Sequence, residues 1–145
     1  MRLRFALLAA ALLAGGTASA APQDNSRYEA KLAKALEGRT AGEPVKCINL
    51  RDIRSTEIID RTAILYRMYN GTVYLNRPSG AATLDNDDIL VTKTFTSQLC
   101  NIDIVQLVSR TSRFSSGSIG LSEFVPYVGP AVTLIPAIGL AAAAG

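Results

Sequence analysis

Two cysteines, Cys47 and Cys100, carry the most reactive side chains of this 145-residue sequence. They do not form a Cys-x-x-Cys redox motif, and each lies beside a predicted strand, which favours a structural role. In an oxidising compartment two such thiols pair, and only one intramolecular connectivity exists. We expect a disulfide with Cα atoms about 4.4–6.8 Å apart, which stabilises the domain by about 4 kcal/mol. Two buried free thiols are the alternative.

The sequence gives little support for a nucleophilic catalytic site or a metal site, because it contains no histidine. Serine and cysteine triads and the usual zinc sites all use that side chain. Ser115, Ser116 and Ser118 lack a Gly-x-Ser-x-Gly elbow. The acidic segment from Asp85 fails the calcium-loop pattern because its fifth position is Ile89, so an acidic turn is the better interpretation. We predict no catalytic residue, no metal site and no cofactor.

Two further constellations remain open. Hydrolysis by a pair of carboxyl groups needs a set distance and separated pKa values, which a sequence does not show. Arginines and tyrosines also alternate along predicted strands, where such residues usually form a solvated face. An anion or glycan site is the alternative for this set: Arg51, Arg54, Arg61, Arg67, Arg77, Tyr66, Tyr69 and Tyr74.

Residues 1–20 have the pattern of a cleavable signal peptide. Arg2 and Arg4 precede an apolar run over residues 5–14, which is too short to cross roughly 30 Å of hydrocarbon. The small residues before Ala21 predict cleavage between Ala20 and Ala21. We therefore expect an exported protein, either periplasmic or secreted; an uncleaved anchor is the alternative.

The mature chain has a nearly balanced charge. Removing Arg2 and Arg4 from 15 basic and 12 acidic residues leaves a net charge of +1. Nucleic-acid binding needs a dense basic surface to neutralise phosphates, so this class of partner is not expected. About 125 mature residues suggest one domain with a small core.

The first element is a predicted amphipathic helix over residues 26–37. Ser26 and Glu29 have the spacing of a capping box, and Gly38 follows as a natural helix stop. Residues 41–44 are expected to form a turn or linker, so that residues 21–44 make up an N-terminal helix and linker.

The pattern then changes to short β-prone runs. The clearest is a hairpin over residues 62–77, in which Asn70 and Gly71 suit a type I′ turn. Residues 111–117 are expected to be a polar loop. The fold prediction is mainly β, a small antiparallel β-barrel or sandwich with a sheet of roughly five to seven strands and a short N-terminal helix. The other predicted strands cover residues 45–50, 55–59, 88–95, 102–110 and 119–125.

The β domain is expected over residues 45–127, followed by an apolar, Pro- and Ala-rich tail over residues 128–145. No charged residue follows Glu123. Pro126, Pro130 and Pro136 would break a membrane-spanning helix. Membrane contact is therefore expected only through this tail, if at all.

Several segments around the cysteines resemble a family of small exported proteobacterial proteins grouped as a domain of unknown function. The resemblance covers about residues 40–127 and implies a periplasmic or secreted β-rich domain. Members often carry two more cysteines, at positions where this chain has Ala81-Ala82 and Ile119. The segments are Cys47-Ile48, Ile53-Arg54-Ser55-Thr56, Asp60, Ala63-Ile64-Leu65-Tyr66-Arg67, Ser97-Gln98-Leu99-Cys100, Asp103-Ile104-Val105 and Glu123-Phe124-Val125-Pro126-Tyr127.

These observations favour a non-enzymatic envelope or secreted module, with a binding or structural role, whose partner is an envelope protein or a glycan. The alternative is a carboxylate-dependent hydrolase acting on an envelope component. A concave pocket that holds two close carboxyl groups would favour the hydrolase.

Overall fold

A computed structural model describes residues 24–129 of the chain. The predicted signal peptide, its cleavage site between Ala20 and Ala21, and most of the apolar tail lie outside these residues. The described part contains one α-helix and ten strands. They are α1 (Ser26–Ala35), β1 (Thr40–Ala41), β2 (Cys47–Asn49), β3 (Ile53–Ile59), β4 (Ala63–Met68), β5 (Val73–Asn76), β6 (Asp88–Thr92), β7 (Gln98–Cys100), β8 (Ile104–Ser109), β9 (Ser115–Gly120) and β10 (Phe124–Val128).

The strands form three antiparallel sheets, which confirms the mainly β prediction with its short N-terminal helix. The main sheet has the order β1-β10-β5-β4-β3, and the smaller sheets pair β2 with β7 and β6-β8-β9. The described strands do not close into a barrel, so the arrangement is sandwich-like. The main sheet has the predicted number of strands, but the two smaller sheets are additional.

The main sheet separates two apolar cores, because successive side chains of a strand point to opposite faces. On β4, Ile64 and Tyr66 belong to the larger core, which also includes Leu107 of β8 and Phe124 of β10. Ala63 and Leu65 belong to the smaller core, which Leu32 of α1 covers. Burial of an amphipathic helix face therefore holds α1 against the sheet.

The predicted hairpin exists, but its turn differs from the predicted type. β4 and β5 pair across residues 69–71, and Gly71 has a φ of 86°. Asn70 does not have positive φ, which a type I′ turn requires at both central positions. Instead the Gly71 N–H donates to the Met68 carbonyl (3.1 Å), and Asn70 Oδ1 accepts from the Thr72 N–H (2.9 Å). This is a three-residue loop that ends in a left-handed glycine.

Cys47 and Cys100 are joined by the predicted disulfide and lie directly opposite each other in β2 and β7. Their Cα atoms are 4.0 Å apart, closer than predicted. The Asn101 N–H donates to the Lys46 carbonyl (2.8 Å), so Lys46 and Asn101, the next pair along the two strands, are the hydrogen-bonded pair. The cysteines therefore form a non-hydrogen-bonded pair, in which facing Cα atoms approach most closely.

The predicted capping box at the start of α1 is wrong. Asn25 is the N-cap residue and makes no side-chain cap bond. Glu29 instead receives two hydrogen bonds from Arg77 of the main sheet (2.7 and 2.8 Å). A bidentate arginine pair is stronger than a bond to a neutral N–H, which explains why Glu29 turns towards the sheet. Gly38 follows the helix with a φ of 72°, as expected of a helix stop.

Several strand assignments and boundaries also differ from the predictions. The expected linker over residues 41–44 begins inside the edge strand β1, and β7 was not predicted as a strand. The expected loop over residues 111–117 overlaps β9, whose pairing with β8 contains a bulge at Leu107/Val108. The predicted last strand over residues 119–125 is divided between the end of β9 and the start of β10.

Candidate functional site

The alternating arginines and tyrosines do not form a common face. Tyr66 is only 2% exposed and packs edge-on against Phe124 at 5.6 Å between ring centres. Burial raises the pKa of the Tyr66 hydroxyl far above its usual range. Arg77 is engaged with Glu29 on the helix side of the sheet. The alternation in the sequence therefore divides these residues between the core and separate surface contacts.

A cleft with several charged and polar residues in its lining lies between β3 of the main sheet and β6 of the three-stranded sheet. Its volume is about 320 Å³. Side chains from one helix, two strands and two loops line it. They are Lys31, Thr56, Glu57, Ile58, Asn86, Asp88, Ile89, Leu90 and Arg110.

Both walls of this cleft are strand edges. β3 is the last strand of the main sheet and, among the described strands, pairs only with β4. The Met68 N–H donates to the Thr72 carbonyl (2.9 Å). Because the bonding direction alternates along an antiparallel strand, the backbone groups of the even-numbered β4 residues bond to β5. The odd-numbered residues of β4 then bond to β3, and the backbone N–H and C=O groups of Thr56 and Ile58 point away from β4.

The opposite wall follows the same rule. Within residues 24–129, β6 pairs only with β8, and the Arg110 N–H donates to the Asp87 carbonyl (2.9 Å) beyond the end of the ladder. Because the bonding direction alternates from one residue to the next along an antiparallel strand, the backbone N–H and C=O groups of Leu90 point away from β8. The cleft is therefore lined by unpaired peptide groups of two different sheets.

Asp88 is the least accessible charged residue of the cleft. Its side chain is 4% exposed, and one carboxyl oxygen, Oδ1, accepts a hydrogen bond from the Ser116 hydroxyl (2.7 Å). The other oxygen, Oδ2, is buried and has no hydrogen-bond partner within residues 24–129. A buried acceptor without a partner is costly and uncommon, so Oδ2 is the atom of the cleft that most needs a donor.

Three more charged residues line the same cleft. Glu57 lies in the cleft wall and forms an ion pair with Arg67 (2.8 Å). Lys31 of α1 and Arg110 after β8 supply two positive charges to the lining. The Asn86 N–H donates to Asp60 Oδ1 (2.7 Å), which ties the loop before β6 to the turn after β3.

The acidic segment before β6 is a turn, as the sequence indicates. The Asp88 N–H donates to the Asp85 carbonyl (3.0 Å). Asp87 accepts hydrogen bonds from Ser109 and from the backbone and hydroxyl of Thr111, which lower the pKa of the Asp87 carboxyl. Within residues 24–129, no three acidic or cysteine side chains are grouped as a metal site. No helix in the same range is long and apolar enough to cross a membrane.

A second cavity of about 280 Å³ lies on the helix side of the main sheet. Three arginines line it: Arg39, Arg54 and Arg67. Arg39 Nη1 donates to the Gly71 carbonyl (2.7 Å), so this side chain is held against the hairpin loop. Arg54 and Arg67 belong to the arginine and tyrosine set predicted from the sequence. Arg39 does not, because it lies before the strands and reaches the site only through the fold.

Comparisons of the chain with protein-family models, curated proteins and solved structures find no match. The resemblance to the exported domain family therefore stays a prediction. Ala81, at one of the two additional cysteine positions, packs against the apolar core that contains Ile119, at the other. A Cβ added at Gly80, next to Ala81, would lie 3.5 Å from Ile119 Cγ1. The described residues form a mainly β, disulfide-linked domain. Its cleft contains a buried carboxyl group, that of Asp88, with one oxygen that has no hydrogen-bond partner among these residues.

Proposed function

We propose that this chain is an exported, non-enzymatic binding module, and that its binding site is the cleft between β3 and β6. The observation that carries the proposal is the buried Asp88 oxygen that has no hydrogen-bond partner within residues 24–129. A ligand that donates a hydrogen bond there removes the cost of the unpaired acceptor. An ammonium or guanidinium group adds a charge-assisted bond, which is stronger than a neutral one.

Export is supported by two independent features. The disulfide between Cys47 and Cys100 suits an oxidising compartment, and residues 1–20 have the composition of a signal peptide. Intact-mass analysis of the protein from the producing cells tests this part. A chain that begins at Ala21 supports export, and a chain that retains residues 1–20 contradicts it.

The binding claim is tested by calorimetry with two probes that present ammonium groups in different chemical settings. One is a nine-residue acetylated and amidated peptide of threonine and valine with a central glutamate-lysine pair. The other is a glucosamine tetramer. We expect one of them to bind and Asp88→Asn to weaken binding at least about tenfold, as loss of a charged hydrogen bond implies.

Asp52→Asn is the matched control, because Asp52 lies outside the cleft. It should leave the affinity unchanged. Binding that Asp88→Asn does not weaken, or the failure of both probes to bind, would contradict the proposed site.

A hydrolase is the second candidate, because Glu57 and Asp88 line the same cleft. Hydrolysis of a glycosidic bond would need one carboxyl group to protonate the leaving oxygen and the other to activate water or attack the sugar. Release of reducing ends from the glucosamine tetramer would support this candidate if both Glu57→Gln and Asp88→Asn abolished it. The ion pair of Glu57 with Arg67 favours the binding module, since it occupies one of the two carboxyl groups.

A further inference from the structure

We infer that the occupant of the cleft is an extended polypeptide segment that pairs with the free edge of β3 and places a lysine or arginine side chain at Asp88. The inference rests on the proposed function, because it names the partner class of the same site. An edge strand offers a row of unpaired backbone groups, and addition of a strand to it is a recurrent mode of peptide recognition.

The two edges of the main sheet differ in what they offer. On one side the sheet ends in β1, which has only two residues, and short edge strands discourage pairing. On the other side it ends in the seven-residue β3. Arg54 is displaced by the bulge between Ile53 and Ser55, so the regular part of the free edge begins at Ser55. Thr56 and Ile58 present its outward backbone groups to the cleft.

The opposite wall favours a peptide over a glycan. Leu90 of β6 turns its backbone groups away from β8, so donors and acceptors face the cleft from both sides. An extended peptide carries N–H and C=O groups along both of its edges, with the two-residue period of the β3 edge. A glycan has hydroxyl groups but no such period.

The charges of the lining favour a mixed sequence. Successive side chains of an added strand would point alternately to the two faces of the main sheet. One face leads to Asp88, whose free oxygen suits a basic side chain. Glu57 shares its face of β3 with the helix that carries Lys31, and Glu57 is already paired with Arg67. An acidic residue next to the basic one would therefore meet Lys31.

The test is amide hydrogen exchange, followed by NMR, with the nine-residue peptide described above. The Thr56 and Ile58 amides should exchange at least about tenfold more slowly in the complex, because they gain backbone partners. The Ser55 and Glu57 amides, which already bond to β4, should change little. Binding of the peptide without slower exchange at Thr56 and Ile58 would overturn the strand-pairing inference.

A pair of variants separates this inference from the proposed function. Thr56→Pro removes the outward N–H, a change that edge strands tolerate, whereas Thr56→Val retains it. Thr56→Pro should weaken peptide binding at least about tenfold and Thr56→Val should not, while thermal melts report whether each variant is folded. Peptide binding that depends on Asp88 but not on the Thr56 N–H leaves the cleft as the site and refutes strand pairing. Asp88-dependent binding of the glucosamine tetramer alone makes the occupant a glycan and refutes it as well.

Discussion

Asp88 at the start of β6 and Ser116 in β9 are joined across the three-stranded sheet by a hydrogen bond of 2.7 Å. Ser116 is the only hydrogen-bond partner of the Asp88 side chain within residues 24–129. The bulge in the β8–β9 ladder places Ser116 between the paired residues Ser115 and Gly117. The position of the cleft carboxyl group therefore depends on a serine that is 28 residues away in the sequence.

Loss of this bond should destabilise the domain. Ser116→Ala leaves both oxygens of a buried carboxyl group without a partner, which costs about 1–3 kcal/mol. Urea unfolding measures the difference. Ser118→Ala is the control, because Ser118 is exposed like Ser116 but does not bond to Asp88, and exposed substitutions without such a bond stay within about 0.5 kcal/mol. Equal stability of the two variants would show that Ser116 does not hold Asp88.

The disulfide should contribute a large part of the stability. It closes a loop with a sequence separation of 53, for which the chain-entropy model gives about 4 kcal/mol. The double substitution of Cys47→Ser and Cys100→Ser should therefore lower the melting temperature by more than about 10 °C, since 1 kcal/mol corresponds to roughly 4–8 °C in a domain of this size. Reduction of the wild type should lower it to a similar extent. A melting temperature that neither treatment changes would contradict this prediction.

Tyr66 should make the folded state sensitive to alkali. Burial raises the pKa of its hydroxyl in the folded state, so the titration of Tyr66 costs no stability below the unfolded pKa of about 10. As the pH rises from there towards the folded pKa, the unfolded chain loses this proton first and the stability of the fold decreases. Tyr66→Phe should reduce the loss of stability between pH 9 and pH 11, measured by urea unfolding.

At pH 7 the same substitution should be nearly neutral or stabilising, because the buried Tyr66 hydroxyl has no partner in the described part of the chain. Tyr69→Phe is the control, since Tyr69 is highly exposed. A variant with the same alkaline loss as the wild type would refute the role of Tyr66.

Gly71 should be required for its backbone conformation alone. Its φ is 86°, and an added Cβ would meet no atom within 4 Å. Gly71→Ala should therefore cost about 1 kcal/mol, from the left-handed conformation. Gly120 also has open space around it but lacks positive φ, so Gly120→Ala should cost nothing. Thermal unfolding of both variants measures the loss of stability. Equal losses in Gly71→Ala and Gly120→Ala would contradict the conformational explanation.

The features that the sequence predicts correctly are those with a local cause. The hairpin follows from β-branched runs around Asn70 and Gly71, and the disulfide follows from cysteine count and context. β9 was missed because the serines and glycine from Ser115 to Ser118 have low β propensity. Its pairing with β8, and not its own residue types, makes this segment a strand.

The cleft was beyond sequence reasoning because its residues are distant in the chain. Lys31, Thr56, Asp88 and Arg110 meet only after the free edges of two sheets face each other. The sequence predicts an acidic turn that leads into a strand from Asp88, which is correct, but it does not predict that the Asp88 carboxyl group is buried in a cleft. A signal did exist: Asp88 occupies the same face of β6 as Leu90, an apolar position at which an acidic side chain is unusual.

The most direct test of the central claim is the position at which a ligand binds. The ¹⁵N-labelled protein is titrated with the nine-residue lysine-containing peptide, and backbone amide shift changes are mapped by NMR. The account predicts the largest changes along the two walls of the cleft, at residues 55–58 and 86–90, together with Arg110. The same titration of Asp88→Asn should produce much smaller changes. Shift changes concentrated around Arg39 and Arg54, or changes in the cleft that persist in Asp88→Asn, would contradict it.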